Sequence, residues 1–369
     1  MNEKIHLSIF LPSLSGGGAE RVVFNLIQGL ENYEVDLELL VAYQDGTWQD
    51  KLPANCSVIN FSKKHVFRCL FPLIQYLQKK SPDILFSAID HANLVNILAC
   101  KLCGKKVKSI ISIHQVSSEF RKLYQSRKEI LLHCITNSIF PFADKIIAVS
   151  EKIKKDSIQI SAISEEKIIV IGNPIISEIQ LERLFSLRKK TSNKPVIVAF
   201  GRLAVEKDFD TLIRAFHLFL QTMDSQLIIY GEGAERNKLE SLCRELKIEK
   251  SVSLPGFVDD VFDKLAEANL CVVSSITEGF GNVIVEALAC GVPVVSTDCG
   301  GPREILQGGK YGVLVPIGDV DAMKNAMLAT LSWNNDPEEL RNRVRDFTIE
   351  NISSQYMKVF TALLSQGDM

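Results

Sequence analysis

One stretch constrains this chain more than any other: Ser274-Ser275-Ile276-Thr277-Glu278-Gly279-Phe280-Gly281-Asn282-Val283-Ile284-Val285-Glu286-Ala287-Leu288-Ala289. The apolar run Leu270 to Val273 before it predicts a buried strand, and the glycine-punctuated segment predicts a loop opening a helix near Asn282. The first turn of a helix leaves backbone N–H groups without partners and carries the positive end of the dipole, so a phosphate there is stabilised by both. Gly279 and Gly281 let backbone approach a ligand closely. Glu278 falls in the loop and Glu286 just over one turn into the helix, so both can face one ligand. A carboxylate is a poor partner for phosphate but a good acceptor from hydroxyls, and the combination suggests a phosphorylated polyol. In isolation the same residues read as an ordinary strand-to-helix turn followed by one solvated glutamate, so the surrounding chain has to decide.

At 369 residues, the chain suits two domains of about 170 to 190 residues rather than one core. With 46% hydrophobic and 23% charged residues it has the composition of a soluble globular protein. A net charge of −2 gives no general attraction to nucleic acid. Residues 60 to 130 nevertheless hold thirteen Lys or Arg against four acids, a local balance of +9. Such a face fits anionic lipid or a pyrophosphate-bearing partner, and equally a solvated helix surface. No apolar run reaches the ~18 residues that span a bilayer, and Met1 to His6 lacks the apolar core of a signal peptide. Nine cysteines without an export signal are expected to be reduced thiols in the cytosol. Cys100-Lys101-Leu102-Cys103 has no second pair at zinc-site distance and reads as two buried thiols on a helix.

Ile5 to Leu11 reads as a first buried strand ending at Pro12-Ser13-Leu14-Ser15-Gly16-Gly17-Gly18-Ala19-Glu20-Arg21, and Val22, Val23, Leu26, Ile27 and Leu30 follow at helical spacing. Three successive glycines are better suited to close approach of a ligand than to mere turning. They do not complete the dinucleotide fingerprint, because Arg21 stands where its last glycine belongs, and this argues against a nicotinamide enzyme. Further strands are predicted at Val35 to Val41, Ile84 to Ser87, Val107 to Ile113, Ile146 to Val149 and Ile168 to Ile171, with helical patterns around Phe71 to Lys79 and Leu94 to Leu102. Buried strands alternating with helices imply a doubly wound parallel sheet, whose ligands sit beyond the carboxyl ends of its strands. His114 and Ser150 fall at such ends. A lone strand-end histidine is more often structural than functional, but the strand end is where function lives in this architecture.

After Gly172-Asn173-Pro174, the polar stretch 188–195 precedes a second series of strands: Val196 to Phe200, Gln226 to Tyr230, Ser251 to Leu254, Leu270 to Val273, Val292 to Ser296 and Gly312 to Val315. Arg202 and Lys207 follow the first of these and supply two positive charges suited to a diphosphate. Singly each reads as a surface charge; with the Glu278 to Glu286 stretch at the same end of one sheet they make a site for a nucleoside diphosphate. Gly231-Glu232-Gly233 again lacks the dinucleotide pattern.

Gly201-Arg202-Leu203-x-x-Glu206-Lys207, the pair Glu278 and Glu286, Gly291-Val292-Pro293-Val294-Val295, Gly300-Gly301-Pro302-Arg303-Glu304-Ile305 and the Ser15 to Arg21 opening resemble the family 4 glycosyltransferases, over essentially the whole chain. The resemblance implies an α/β fold of two Rossmann-like, doubly wound parallel-sheet domains facing each other across a cleft, the arrangement called GT-B. An N-terminal acceptor-binding domain over residues 1–175 would be completed by a C-terminal helix at 349–369. A nucleotide-sugar-binding domain would span 176–348. The apolar positions Phe347, Ile352, Tyr356, Val359, Phe360 and Leu363 are similar to that returning helix.

By the same resemblance, Glu286 would bind the ribose of a UDP-sugar, Arg202 and Lys207 the diphosphate, and Glu278 the donor sugar, with the backbone amides of Phe280, Gly281, Asn282 and Val283. His114 would reach the donor sugar from the N-terminal domain, and Gly16, Gly17 and Gly18 would line the site near the phosphates. Arg202, Lys207, Glu278 and His114 are thus the expected catalytic residues, with no metal and no cofactor beyond the donor. The family's chemistry retains anomeric configuration. The motif variants look like bacterial enzymes of O-antigen, capsule or lipopolysaccharide assembly. That implies a hexose or N-acetylhexosamine moved to a polyprenyl-diphosphate-linked or other lipid-linked saccharide, by a peripheral enzyme on the cytoplasmic face of an anionic membrane, with no nucleic-acid partner. A UDP-sugar epimerase or hydrolase of the same fold, and a non-catalytic subunit of a glycan assembly complex, are the alternatives.

Overall fold

A computed structural model describes residues 4–14, 17–43, 52–123, 127–186, 194–332 and 337–365. The chain divides into two compact units, Met1–Ile175 with Thr348–Met369, and Ile176–Phe347. In order, the first unit contains β1 (Ile5–Leu11), α1 (Gly18–Leu30), β2 (Val35–Val41), β3 (Cys56–Asn60), α2 (Leu70–Lys80), β4 (Ile84–Ser87), α3 (Asp90–Leu102), β5 (Lys108–Ile113), α4 (Ser117–Leu123), α5 (Arg127–Ile139), β6 (Lys145–Ala148), α6 (Glu151–Ser161) and β7 (Ile168–Val170). The second contains α7 (Glu178–Ser186), β8 (Val196–Phe200), α8 (Phe209–Leu220), β9 (Gln226–Tyr230), α9 (Arg236–Glu245), β10 (Val252–Gly256), α10 (Val261–Ala266), β11 (Leu270–Val273), α11 (Asn282–Ala289), β12 (Val294–Thr297), α12 (Gly301–Ile305), β13 (Val313–Val315), α13 (Val320–Leu331) and α14 (Pro337–Val344). The last helix, α15 (Ile349–Ser365), belongs to the first unit.

Each unit is built on one parallel sheet, in the order β3-β2-β1-β4-β5-β6-β7 in the first and β10-β9-β8-β11-β12-β13 in the second. Both are doubly wound, as the alternation of apolar runs and helical patterns predicts. Successive residues of β1 serve opposite faces: Ile9 and Leu11 pack with Val23 and Ile27 of α1, whereas Phe10 packs with Leu73 and Leu77 of α2. The second sheet buries Ile197, Ala199 and Leu227 against Leu212, Phe216 and Phe219 of α8. Strand order reverses between β1 and β4 in one sheet and between β8 and β11 in the other, so the loops after these strands open at the switch points where such sheets bind ligands.

Several boundaries differ from expectation. β3 was not legible, because only its first residue is buried and the rest is exposed or half-exposed at the sheet edge, without an apolar run. The strand expected over Val292 to Ser296 begins two residues later, since Pro293 has no N–H for the ladder and offers its carbonyl to Cys271 N at 3.0 Å instead. Ser117–Leu123, where no helix was predicted, is the helix α4.

The returning helix α15 inserts Ile352, Tyr356 and Phe360 into the first unit's core, where the Tyr356 ring meets Phe86 edge-on at 5.8 Å. It also runs close against α1: a Cβ on Gly29 would sit 2.0 Å from the Ser353 hydroxyl oxygen. Among the described residues no helix is long and apolar enough to cross a membrane.

Candidate functional site

In the second unit, two loops meet at the switch point. After β8 the backbone passes Gly201 and Arg202, makes a short 3-10 turn over Val205–Lys207, and enters α8 at Asp208, whose carboxylate accepts from Thr211 N at 3.4 Å and Thr211 Oγ1 at 2.7 Å. After β11 the chain runs through Ser274 to Gly281 and into α11. Three hydrogen bonds join the two loops: Ser274 Oγ donates to the Lys207 carbonyl at 2.7 Å, Ile276 N to the Glu206 carbonyl at 2.8 Å, and the Lys207 ammonium to Glu278 Oε2 at 2.6 Å. Ser275 Oγ adds a second donor to Glu278 Oε2 at 3.0 Å. On the other side Thr297 Oγ1 donates to the Ser275 carbonyl at 2.6 Å, and Gly301 N to the Glu278 carbonyl at 3.3 Å. The loop carrying Glu278 is therefore fixed from both neighbouring strands.

Arg202 lies in the same β8 loop, with its guanidinium 2.5 Å from Glu206 Oε1 and most of its side chain in solvent. Lys207 and Glu278 are about equally sheltered, with side chains 21% and 18% exposed, a setting in which their attraction is less screened than at an open surface. Gly281 caps α11 at φ 104°, a conformation that ordinary side chains rarely adopt, and no side chain caps its N–H groups. The first-turn backbone of α11, at Asn282 and Val283, carries the positive end of the helix dipole, which favours an anion placed beside it. Glu286 follows in the same helix and is 2% exposed, between the buried Val285 and Ala287. A carboxylate in such a position is costly unless polar groups share its charge. Phe280 is buried, its ring meeting Phe347 edge-on at 5.4 Å, so its side chain anchors the loop and its backbone is what remains for a ligand.

The structure therefore gathers Arg202, Lys207, Glu278, Phe280, Gly281, Asn282, Val283 and Glu286 on two adjoining loops and one helix of a single unit. Sequence reasoning did not single out Ser275 or Thr297, which orient the Glu278 loop; the small polar residues that close β11 and β12 were the available signal.

In the first unit, His114 follows β5 and is half-buried. Its Nε2 lies 3.0 Å from Ser112 Oγ, and the same hydroxyl hydrogen-bonds the buried phenol of Tyr356 on α15. Burial lowers the His114 pKa to about 4, so the ring is neutral at physiological pH. Gly17 precedes α1 with ordinary φ, Gly18 begins the helix, and Gly16 lies outside the described residues. Ser150 caps α6 by accepting from Ile153 N at 3.3 Å, which accounts for it structurally. Cys100 and Cys103 are buried thiols on and just after α3. One pair had no signal in the sequence: Asp90, which opens α3 beyond β4, stands 4.0 Å from Nε2 of the buried His133 on α5. Desolvation raises the Asp90 carboxyl above its usual pKa, against the lowering pull of His133. Among the described residues no three His, Cys, Asp or Glu side chains gather as a metal-binding group.

Two doubly wound parallel-sheet domains with loops at their switch points define the α/β class whose ligands bind at those loops, and comparison with known proteins narrows it. The model described as glycosyl transferases group 1 matches residues 194–332, and that of glycosyltransferase family 4 matches residues 16–178. An uncharacterized glycosyltransferase of Methanocaldococcus jannaschii is 30% identical over 68% of this chain and 67% of its own length. The N-acetylgalactosamine-N,N'-diacetylbacillosaminyl-diphospho-undecaprenol 4-alpha-N-acetylgalactosaminyltransferase of Campylobacter jejuni is 28% identical over 92% of this chain and 93% of its own. The solved structure of a sucrose-phosphate synthase from Thermosynechococcus elongatus matches with a TM-score of 0.79, at 20% identity, over 98% of this chain and 100% of that one. The chain belongs to the family 4 glycosyltransferases, and its fold is of the GT-B class.

Proposed function

We propose that this glycosyltransferase takes a hexose or an N-acetylhexosamine from a UDP-sugar and passes it to a lipid-linked saccharide, with retention of anomeric configuration and without a metal ion. The observation that carries the reading is the ion pair between Lys207 and Glu278 beside the N-terminus of α11. A nucleoside diphosphate would place its phosphates at the first turn of α11, at the positive end of its dipole, with Lys207 and Arg202 as counter-cations. Glu286 would take the ribose hydroxyls, and Glu278 the donor sugar. His114, neutral, would contact the sugar as a hydrogen-bonding group rather than as a charge.

As the bond from the anomeric carbon to the diphosphate oxygen breaks, negative charge grows on the leaving group, and Lys207 and Arg202 stabilise it there more than in the ground state. In a front-face attack the acceptor hydroxyl forms the new bond on the face the diphosphate leaves, and the departing phosphate oxygen takes the hydroxyl proton. No separate protein base is then required. The acceptor class is supported by the Campylobacter relative, whose name specifies a diphospho-undecaprenol-linked saccharide. A peripheral enzyme on the inner membrane face, building a bacterial surface polysaccharide, fits this acceptor.

The test is nucleotide release from UDP-, GDP- and ADP-sugars, with and without polyprenyl-diphosphate-linked saccharide, in the presence and absence of a chelator. Acceptor-dependent UDP release that survives chelation and is lost in Glu286→Ala is expected. Release without acceptor would point instead to a hydrolase or epimerase, and no release from any donor to a non-catalytic subunit. Product anomeric configuration, read by NMR, tests retention.

A further inference from the structure

The most unusual surface of the first unit lies between β3 and α2. Residues 61–82 contain five Lys or Arg and no acid. Within this stretch Val66–Cys69 forms a 3-10 turn that runs directly into α2. Cys69, Leu73, Tyr76 and Leu77 turn inward and are buried. On the outward side Phe67 is 45% and Phe71 is 77% exposed, with exposed Arg68 between them and exposed Lys64 just before. Phe67 and Phe71, four residues apart, share one helical face. Among the described residues neither Lys64 nor Arg68 is in an ion pair, whereas Arg202, Arg214 and Arg236 each meet a carboxylate four residues away.

A phenylalanine at 77% exposure leaves most of its ring in water, and two on one face make an apolar patch that a protein surface ordinarily avoids. Unpaired cations at its rim point to a partner that is apolar within and anionic at its edge. An acidic protein groove could supply the charge, but the two exposed rings and two cations here lie within a single helical turn and its approach. A bilayer with anionic headgroups supplies both components and needs no complementary shape. The loop leaves β3 at its carboxyl end, so the patch stands on the same end of the first unit's sheet as His114 after β5.

We propose that Phe67 and Phe71 insert into the headgroup and upper acyl region of an anionic bilayer while Lys64 and Arg68 pair with its phosphates, so that this turn docks the enzyme where a lipid-linked acceptor is embedded. This rests on the reading that the acceptor is lipid-linked. Insertion of the two rings supplies the apolar contribution and the two cations the dependence on anionic lipid. The α2 helix needs no rearrangement, because its inward face is already packed.

The experiment uses the full chain with vesicles of phosphatidylcholine alone and with about one-third phosphatidylglycerol. The wild type is expected to sediment with the anionic vesicles and not with the neutral ones, and to be released by high salt. Phe67→Ser with Phe71→Ser should lower the partition coefficient by tenfold or more, from the apolar area removed. Lys64→Gln with Arg68→Gln should lower it about twenty-fivefold, on the order of fivefold per cation, and remove most of the lipid-charge dependence. A tryptophan at position 71, introduced as Phe71→Trp, should be quenched by lipids brominated in the upper acyl chain. Equal partition of wild type and both double variants, or no quenching on bound vesicles, would overturn the proposal. Transfer to a short-chain, water-soluble acceptor should be unchanged in all variants, while transfer to vesicle-embedded acceptor falls with partition. If partition behaves as expected and no lipid-linked acceptor is glycosylated, the docking surface stands and the acceptor assignment fails.

Discussion

Lys207 and Glu278 are 71 positions apart in the chain, yet Lys207 Nζ lies 2.6 Å from Glu278 Oε2, and the pair ties the first loop of the second sheet to the loop across its switch point. Each partner would otherwise be a sheltered charge without a counterion, so removing one costs more than the pair contributes. In urea unfolding, a cycle of Lys207→Ala, Glu278→Gln and the double variant should give a coupling of about 1–2 kcal/mol. The catalytic consequence is separate. Lys207→Ala should lower kcat on the order of a hundredfold, with a smaller effect on KM, because the cation matters most when leaving-group charge is largest. A change in KM alone would mean that Lys207 binds the donor uniformly and does nothing more in the transition state.

Glu286 can be separated from the phosphate-binding groups by choice of ligand. If its buried carboxylate accepts from ribose hydroxyls, Glu286→Ala should weaken UDP binding by about 1.5–3 kcal/mol, a loss of charged hydrogen bonds, and leave inorganic pyrophosphate binding unchanged. Titration calorimetry with the two ligands decides. Parallel losses for both would show that the substitution has disturbed the loop and helix as a whole.

Most of this architecture was legible because burial on both faces leaves a strong mark. Ile5–Leu11, Val35–Val41, Ile84–Ser87, Val196–Phe200, Gln226–Tyr230 and Leu270–Val273 are strands at the residues where the apolar runs begin and end. Edge strand β3 left no such mark, with one buried residue in five. In the site, the glycines and charges were legible from their positions after strands, since the chain is reversed there and the backbone is open to a ligand. What holds those residues was not: the Ser274 bond to the Lys207 carbonyl and the Asp90–His133 pair each join positions tens of residues apart, and nothing in one sequence encodes which hydroxyl meets which carbonyl. The link from Tyr356 through Ser112 to His114 is of the same kind, because it depends on α15 returning to the first unit.

That return can be tested at Gly29. A methyl group there would meet the Ser353 oxygen at 2.0 Å and Ile349 Cγ2 at 2.8 Å, so α15 would have to move off α1. Gly29→Ala should therefore destabilise by about 1–3 kcal/mol despite the better helix propensity of alanine. Ser353→Ala by itself should cost under about 0.5 kcal/mol, since its buried hydroxyl has no hydrogen-bond partner among the described residues. Combining the two should recover part of the loss. Equal melting temperatures for wild type and Gly29→Ala would show that the helices tolerate a wider separation than this packing implies.

His114 makes the stability of the first unit depend on pH in a direction that can be worked out. Its folded pKa is lowered to about 4 by burial, against about 6.5 in an unfolded chain. Above pH ~6.5 the ring is neutral in both states and adds no pH dependence. As pH falls from there towards 4, the unfolded chain takes up a proton that the folded one refuses, so stability is lost across that window and the loss levels off below it. His91, also lowered by burial, acts in the same sense, whereas the raised carboxyls of Glu20, Asp90 and Asp208 act in the opposite one, each favouring the folded state as it protonates. Those groups are common to wild type and His114→Gln, so the difference between the two proteins isolates His114. The urea midpoint of the wild type should fall more between pH 7 and pH 5 than that of His114→Gln. Identical slopes would mean that the ring is protonated as readily in the folded protein as in the unfolded one, and its assignment as an uncharged contact for the donor sugar would have to be abandoned.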